Sequence, residues 1–157
     1  MSQSRTRPFL SAVTMVVVST LVACGGDDPA GLGVVGTGPM SAMVDGVQWT
    51  ATVAFATNTG GIVGVGGSGA TGEGIGFAFQ GSTTGTYSIG TGNVHSANYT
   101  FGSNSWVAGN TVGSGSIVVT TLDATRVAGT FSFEAVSATG GTPATRSITQ
   151  GAFDVTF

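Results

Sequence analysis

The sequence is poor in the residues that metal sites, disulfides and nucleic-acid surfaces need. Its 157 residues include no lysine, one histidine and one cysteine, and charged residues make up only 7%. The single Cys24 rules out an internal disulfide, and one histidine with one cysteine cannot supply a usual zinc site. Four arginines are too few to neutralise a phosphate backbone. We therefore expect no metal, no cofactor and no nucleic-acid partner.

No apolar stretch is long enough for a transmembrane helix. Residues 9–23 as a helix would reach roughly 22 Å, short of the ~30 Å hydrocarbon core. Arg5 and Arg7 precede this stretch, Leu21-Val22-Ala23-Cys24 ends it, and Gly25 follows. A basic start, an apolar middle and small residues before a cysteine resemble a bacterial lipoprotein signal peptide with its lipobox.

The resemblance implies a lipid anchor at Cys24. Residues 1–23 would be cleaved as the signal peptide, the Cys24 sulfur would carry a diacylglyceryl group, and the new amine would be acylated, with palmitate as a typical chain. Two or more acyl chains hold a protein on a membrane almost permanently. Gly25, where an aspartate would retain a lipoprotein in the inner membrane, favours the outer membrane, with the protein facing the periplasm or the cell surface.

The mature chain would be acidic and rich in glycine. Arg126 and Arg146 against seven acids leave a formal charge of −5, and all 28 glycines lie after residue 23. Residues 24–39 are typical of a flexible Gly-rich tether, which spans some 20–24 Å on average. We place one folded domain at residues 40–157.

Alternating apolar and polar residues predict short strands along this domain. Asp45-Gly46 favours a two-residue hairpin turn because both positions tolerate positive φ. The predicted fold is all-β, an antiparallel sandwich or small barrel of about eight short strands. We expect aromatic rings to lie across the strand glycines, and a flat edge open to pairing in the glycine-rich region. The strands are predicted at residues 40–44, 47–55, 60–67, 75–80, 85–89, 97–101, 116–122, 127–136 and 152–157.

Several segments in this order resemble an uncharacterised family of small β-rich bacterial lipoproteins. They include Asp45-Gly46-Val47-Gln48-Trp49, Gly85-Thr86-Tyr87-Ser88-Ile89 and Gly129-Thr130-Phe131-Ser132-Phe133. The resemblance implies a compact β domain behind a lipid anchor. The family has no established activity, so it implies no catalytic residue.

Motifs for catalysis are weak in this chain. Two G-x-G-x-x-G matches, at residues 31–36 and 64–69, lack the strand before and the helix after that dinucleotide binding requires. His95 is the only candidate base for a hydrolytic triad, and no G-x-S-x-G elbow accompanies it. We therefore do not expect an enzyme.

Trp106, in a polar segment, and Tyr99 are the candidate contacts for a ligand or partner. Exposed aromatic rings on a β scaffold can stack on sugars or anchor a protein. The leading hypothesis is a binding or interaction module that contacts an envelope protein or a glycan. One alternative is a structural, self-assembling envelope component, which a bare edge at residues 60–67 would favour. Another is a carboxylate-dependent hydrolase, which two carboxylates facing one cleft would favour.

Overall fold

A computed structural model describes residues 39–157, and that part of the chain is entirely β. None of the described residues belongs to a helix that could cross a membrane. The signal peptide, the tether and the lipidated Cys24 lie outside the described residues. The ten strands are β1 (Met40–Val44), β2 (Val47–Thr59), β3 (Ile62–Gly69), β4 (Glu73–Gln80), β5 (Gly85–Ile89), β6 (Ser96–Phe101), β7 (Asn104–Ala108), β8 (Ser114–Leu122), β9 (Arg126–Ser137) and β10 (Thr145–Thr156).

Eight of these strands close into an antiparallel barrel. The order β10-β1-β2-β3-β4-β6-β7-β9 is closed by pairing between β9 and β10. β8 pairs with the same edge of β9 as β7, and β5 pairs with β8. The Tyr87 ring of β5 packs on Phe79 of β4, with centroids 4.4 Å apart. The all-β antiparallel prediction is confirmed as a barrel, with ten strands instead of about eight.

Alternate residues of each strand point inward and fill the barrel with apolar side chains. Phe77 lies at the centre, with its ring centroid 5.0 Å from both Phe131 and Phe153. Within residues 39–157 no polar or charged residue is fully buried. The barrel interior is therefore a packed core, whose burial of apolar surface holds the fold.

Aromatic rings lie across strand glycines, as predicted. A Cβ on Gly66 would lie 2.6 Å from Phe55 Cζ, and one on Gly151 would lie 2.6 Å from the Phe131 ring. Because these glycines have no side chain, the rings pack directly against the backbone. The expected free edge at residues 60–67 was wrong, because β3 pairs with β2 on one side and β4 on the other.

The barrel has two distinct ends. The mouth end, as we call it, carries the β1–β2, β3–β4 and β6–β7 turns, and there Asp45 and Gly46 take φ values of 49° and 82°, as the sequence predicted. The described chain enters near the opposite, far end, where Asp154 N–H donates to the Pro39 carbonyl at 3.0 Å.

Candidate functional site

The two aromatic residues singled out from the sequence are neighbours in the core. Tyr99 and Trp106 pair across β6 and β7, with ring centroids 5.6 Å apart. They are only 4% and 1% exposed, and the Trp106 Nε1–H donates to the Pro143 carbonyl at 2.7 Å. The polar segment before Trp106 belongs to a strand, and strand alternation turns the indole inward, so both rings pack in the core and their role as ligand or partner contacts stays a prediction.

A pocket of about 240 Å³ opens at the mouth end, and we call it the mouth pocket. Its side chains come from four separate regions of the sequence, which the closed barrel brings together. Aromatic rings form part of its walls, and two acids and an arginine lie among them. The pocket is lined by Val44, Asp45, Val47, Gln48, Trp49, Glu73, Tyr99, Phe101 and Arg146.

Arg146 is held in the mouth pocket by charge and by stacking. Its Nη1 donates to Asp45 Oδ2 at 2.5 Å. Its guanidinium carbon lies 4.8 Å from the Trp106 ring centroid and 5.7 Å from that of Tyr99. This geometry is a cation–π contact on rings that are already buried. Tyr99 therefore serves as part of the pocket floor, and burial raises the pKa of its hydroxyl.

Both acids of the mouth pocket are stabilised as carboxylates. Burial raises the pKa of Asp45, but the Ser147 backbone N–H, which donates at 2.8 Å, and the Arg146 guanidinium outweigh it and leave that pKa lowered. The Thr71 hydroxyl donates to Glu73 Oε1 at 2.5 Å and lowers the pKa of Glu73. Asp45 and Glu73 both line the mouth pocket, which is the arrangement that the hydrolase alternative requires, and neither has the raised pKa expected of a general acid.

A second concave surface runs along the outside of the barrel over β3 and β4, and we call it the outer groove. Its volume is about 390 Å³, and its floor is backbone because Gly64 and Gly66 on β3 and Gly74 and Gly76 on β4 face outward. Phe55, 42% exposed, forms one wall. The opposite wall on β6 presents two hydroxyls and one amide, and no charged residue lines the groove. These wall residues are Ser96, Asn98 and Thr100.

His95, the candidate base, contacts two neighbouring residues in the described chain. His95 Nδ1 accepts a hydrogen bond from the Gln80 backbone N–H at 3.2 Å, and its ring meets Tyr87 edge-on. Across residues 39–157, no three histidine, cysteine or acidic side chains cluster as a metal site requires. His95 therefore has a structural contact in the described chain.

The fold defines a small, closed antiparallel barrel with concave surfaces at its mouth and on its wall. The chain belongs to a family described as a domain of unknown function, DUF6252, whose model matches residues 37–155. The match covers nearly all of the described barrel. No curated protein and no solved structure matches the chain.

Sequence reasoning missed most of the residues that line the two surfaces. Trp49 belongs to the core and also lines the mouth pocket, and Arg146 was noted in the sequence only as one of two cations in the mature chain. The scarcity of charged residues was a usable signal, because an arginine in a chain with few other charges is expected to pair with one of the acids. Asn98 and Glu73 carry no local pattern that separates them from other strand residues.

Proposed function

We propose that this protein is an outer-membrane lipoprotein, anchored through Cys24, whose barrel is a non-catalytic module that binds a neutral glycan chain of the cell envelope. The observation that carries the proposal is the outer groove, where outward glycines on two adjacent strands keep the floor low and the side chains of Phe55, Asn98 and Thr100 lie against it. A trough along the strands fits an extended polymer better than a compact ligand.

The chemistry of the groove walls favours a sugar polymer. The Phe55 ring lies flat on Gly66 and keeps one face open, which suits stacking on the apolar face of a sugar ring. Asn98 supplies an amide that both donates and accepts, and Ser96 and Thr100 supply hydroxyls. The absence of charge along the lining favours a neutral ligand, since a charged one would be desolvated without a counter-ion.

The sequence before the barrel fits a lipid anchor. The signal-peptide pattern and the acidic, lysine-free composition both support anchoring by lipid instead of by charge.

Affinity electrophoresis of the full-length protein through gels that contain soluble neutral polysaccharides tests glycan binding. A panel of β-glucan, galactomannan and mannan is the probe. We expect retardation by at least one polymer, lost in Phe55→Ala and in Ala78→Gln, which places a side chain in the trough. Ala152→Gln, an outward alanine on β10, is the matched control and should be retarded like the parent.

Equal retardation of parent and groove variants would overturn the groove as the binding site, and no retardation by any polymer would overturn glycan binding. Crosslinking in intact cells then separates the other two hypotheses. Capture of one envelope protein on the groove would favour an interaction module, and capture of the protein itself would favour a structural component.

The anchor has its own test. Cys24→Ser should move the protein from the membrane pellet to the soluble fraction and abolish incorporation of an alkyne-labelled palmitate. Ser11→Ala, a change within the apolar stretch that leaves the cysteine in place, is the control. Retention of Cys24→Ser on membranes after a salt wash would contradict lipid anchoring.

A further inference from the structure

The mouth pocket holds a tyrosine hydroxyl that has no hydrogen-bond partner in the described chain. Tyr99 is 4% exposed and lines the pocket, so the little surface it keeps faces that opening. After burial, the largest influences on the pKa of its hydroxyl are the charges of Arg146, Glu73 and Asp45, which all line the pocket. The Tyr87 hydroxyl, by contrast, donates to a backbone carbonyl at 2.5 Å. A hydroxyl both donates and accepts, so Tyr99 offers a ligand in the pocket an unused polar contact.

Glu73 lies at the rim of the pocket, on the mouth side of Tyr99. It pairs directly with Phe101 across β4 and β6, and Phe101 is two residues from Tyr99 on the same strand. Opposed residues of an antiparallel pair share a face, as do residues two apart, so the three side chains lie on the inner face of the barrel. The Glu73 carboxylate accepts hydrogen bonds from Thr71 and from the backbone, and none of these donors carries a charge.

The charges of the pocket leave one carboxylate without a counter-ion. Both arginines of the described chain are paired with aspartates, and Arg146, the one in the pocket, is offset by Asp45. Glu73 forms no ion pair within residues 39–157. Two acids and one arginine line the pocket, and both acids have lowered pKa values, so the lining keeps one negative charge at neutral pH. An anion would meet two carboxylates, whereas a cation would neutralise the excess charge.

We propose that the mouth pocket binds a short alkylammonium group, with the ammonium between the Glu73 carboxylate and the Tyr99 hydroxyl and the stem against Phe101 and Val47. An ammonium has three donors and no acceptor, which matches a carboxylate and a hydroxyl oxygen. Phe101 and Val47 are 44% and 70% exposed, so an alkyl stem covers apolar surface that water otherwise contacts. The volume of about 240 Å³ is below the ~300–1,000 Å³ of typical drug-sized ligand pockets, so only a short stem fits.

An alkylammonium group has two sources, a free aliphatic amine and the lysine side chain of another protein. Both are positively charged at neutral pH. This site does not rest on the outer groove, where no charged residue lines the surface. Loss of amine binding would therefore leave glycan binding unchanged, and the reverse holds as well.

The two tyrosines of the full-length protein, labelled with ¹³C at Cζ, provide the test in a non-ionic detergent at neutral pH. The probes are n-butylammonium and Nα-acetyl-lysine methylamide, and n-butanol and butyrate are the neutral and anionic comparisons. We expect an amine to shift the Tyr99 resonance saturably and leave Tyr87 unmoved, because the Tyr87 hydroxyl already has a partner. Tyr87→Phe assigns the two signals. Binding of the lysine derivative would identify a protein lysine as the ligand, and binding of n-butylammonium alone would identify a free amine.

A charge-removing variant with a matched control locates the ammonium. Glu73→Gln should weaken amine binding about 10-fold, because it removes the negative charge and keeps an oxygen that accepts from Thr71. Glu134→Gln, an exposed acid on β9 outside the pocket, should bind like the parent. The proposal is overturned if neither amine shifts the Tyr99 resonance, if n-butanol or butyrate binds as tightly as the amines, or if Glu73→Gln binds them like the parent.

Discussion

Each end of the barrel carries one arginine–aspartate pair, and the two pairs differ in what surrounds them. At the far end Arg126 and Asp154 join β9 to β10 with side chains that are 47% and 43% exposed. At the mouth end Arg146 and Asp45 are 20% and 35% exposed, and the guanidinium rests on two buried rings. The far-end pair is the more exposed of the two, so solvent and salt screen its charges more strongly. The mouth-end pair instead shapes a pocket in which other polar groups stay unpaired.

The comparison shows that an arginine–aspartate pair is bidentate at one end of the barrel, while at the other end the same two side-chain types leave a donor unpaired in the described chain. The far-end pair is bidentate, since Arg126 Nε and Nη2 donate to the two Asp154 oxygens. Arg146 uses Nη1 for Asp45 and keeps its buried Nε–H unpaired in the described chain. The mouth-end pair thus uses one guanidinium donor where the far-end pair uses two.

The largest expected difference is in the free energy of unfolding, between a variant of Trp49, which lines the mouth pocket, and a variant of Trp106, which does not. Trp106→Phe should destabilise the protein by about 2–3 kcal/mol, because it removes packing in the core and the hydrogen bond from the indole to the Pro143 carbonyl. Trp49→Phe should cost about 1 kcal/mol, since it loses similar volume but also removes an unpaired donor. Urea unfolding of both variants measures the two losses. Equal losses would mean that the Trp49 N–H is not unpaired in solution.

The second test replaces the arginine of each arginine–aspartate pair. Arg146→Ala should cost about 2 kcal/mol, because it removes the cation–π contacts on Trp106 and Tyr99 as well as the ion pair. Arg126→Ala is its matched control and should leave the melting temperature within about 2 °C of the parent. A larger loss of stability in Arg126→Ala than in Arg146→Ala would mean that the far-end pair contributes more to stability than the mouth-end pair.

The fold was more accessible from the sequence than the site. Period-two alternation and the Asp45-Gly46 turn depend on neighbouring residues, so they predicted the antiparallel β class and the first hairpin. β10 was predicted only from residue 152, because a bulge between Ile148 and Gly151, with Gln150 at a φ of 51°, breaks its alternation. β7 was missed because it is only five residues long and begins with Asn104 and Ser105, residue types that are typical of turns.

The mouth pocket depends on closure of the barrel, which no local pattern reports. Asp45 and Arg146 are 101 residues apart in sequence and meet only because β1 pairs with β10. Trp49 and Glu73 are brought to the same space by the pairing of β3 with β2 and β4. A sequence pattern could indicate that Arg146 needs a partner, but not which acid would supply it.

The smallest expected effect concerns acid, and it compares the two aspartates. The pKa of Asp45 is lowered from 3.8, so its contribution to stability is complete above about pH 3.8 and is lost as the pH falls through the lowered value. Asp45→Asn keeps a residue that tolerates the positive φ of the turn. It should therefore melt about 2–4 °C below the parent at neutral pH. That difference should shrink in acid, as Asp45 of the parent is protonated.

Asp154→Asn is the matched variant at the far end. The Arg126 guanidinium lowers the pKa of Asp154 too, but the Arg126–Asp154 pair is more exposed. The melting temperature of Asp154→Asn should therefore differ less from that of the parent at neutral pH, and this difference should shrink over the same pH range. Melting temperatures of parent and both variants between about pH 2.5 and 7 provide the measurement. Glu73 and Asp123, whose pKa values are also lowered, titrate in all three proteins and cancel in the differences. A difference for Asp45→Asn that stays constant down to about pH 2.5 would show that its cost lies in the turn and not in the charge on Arg146.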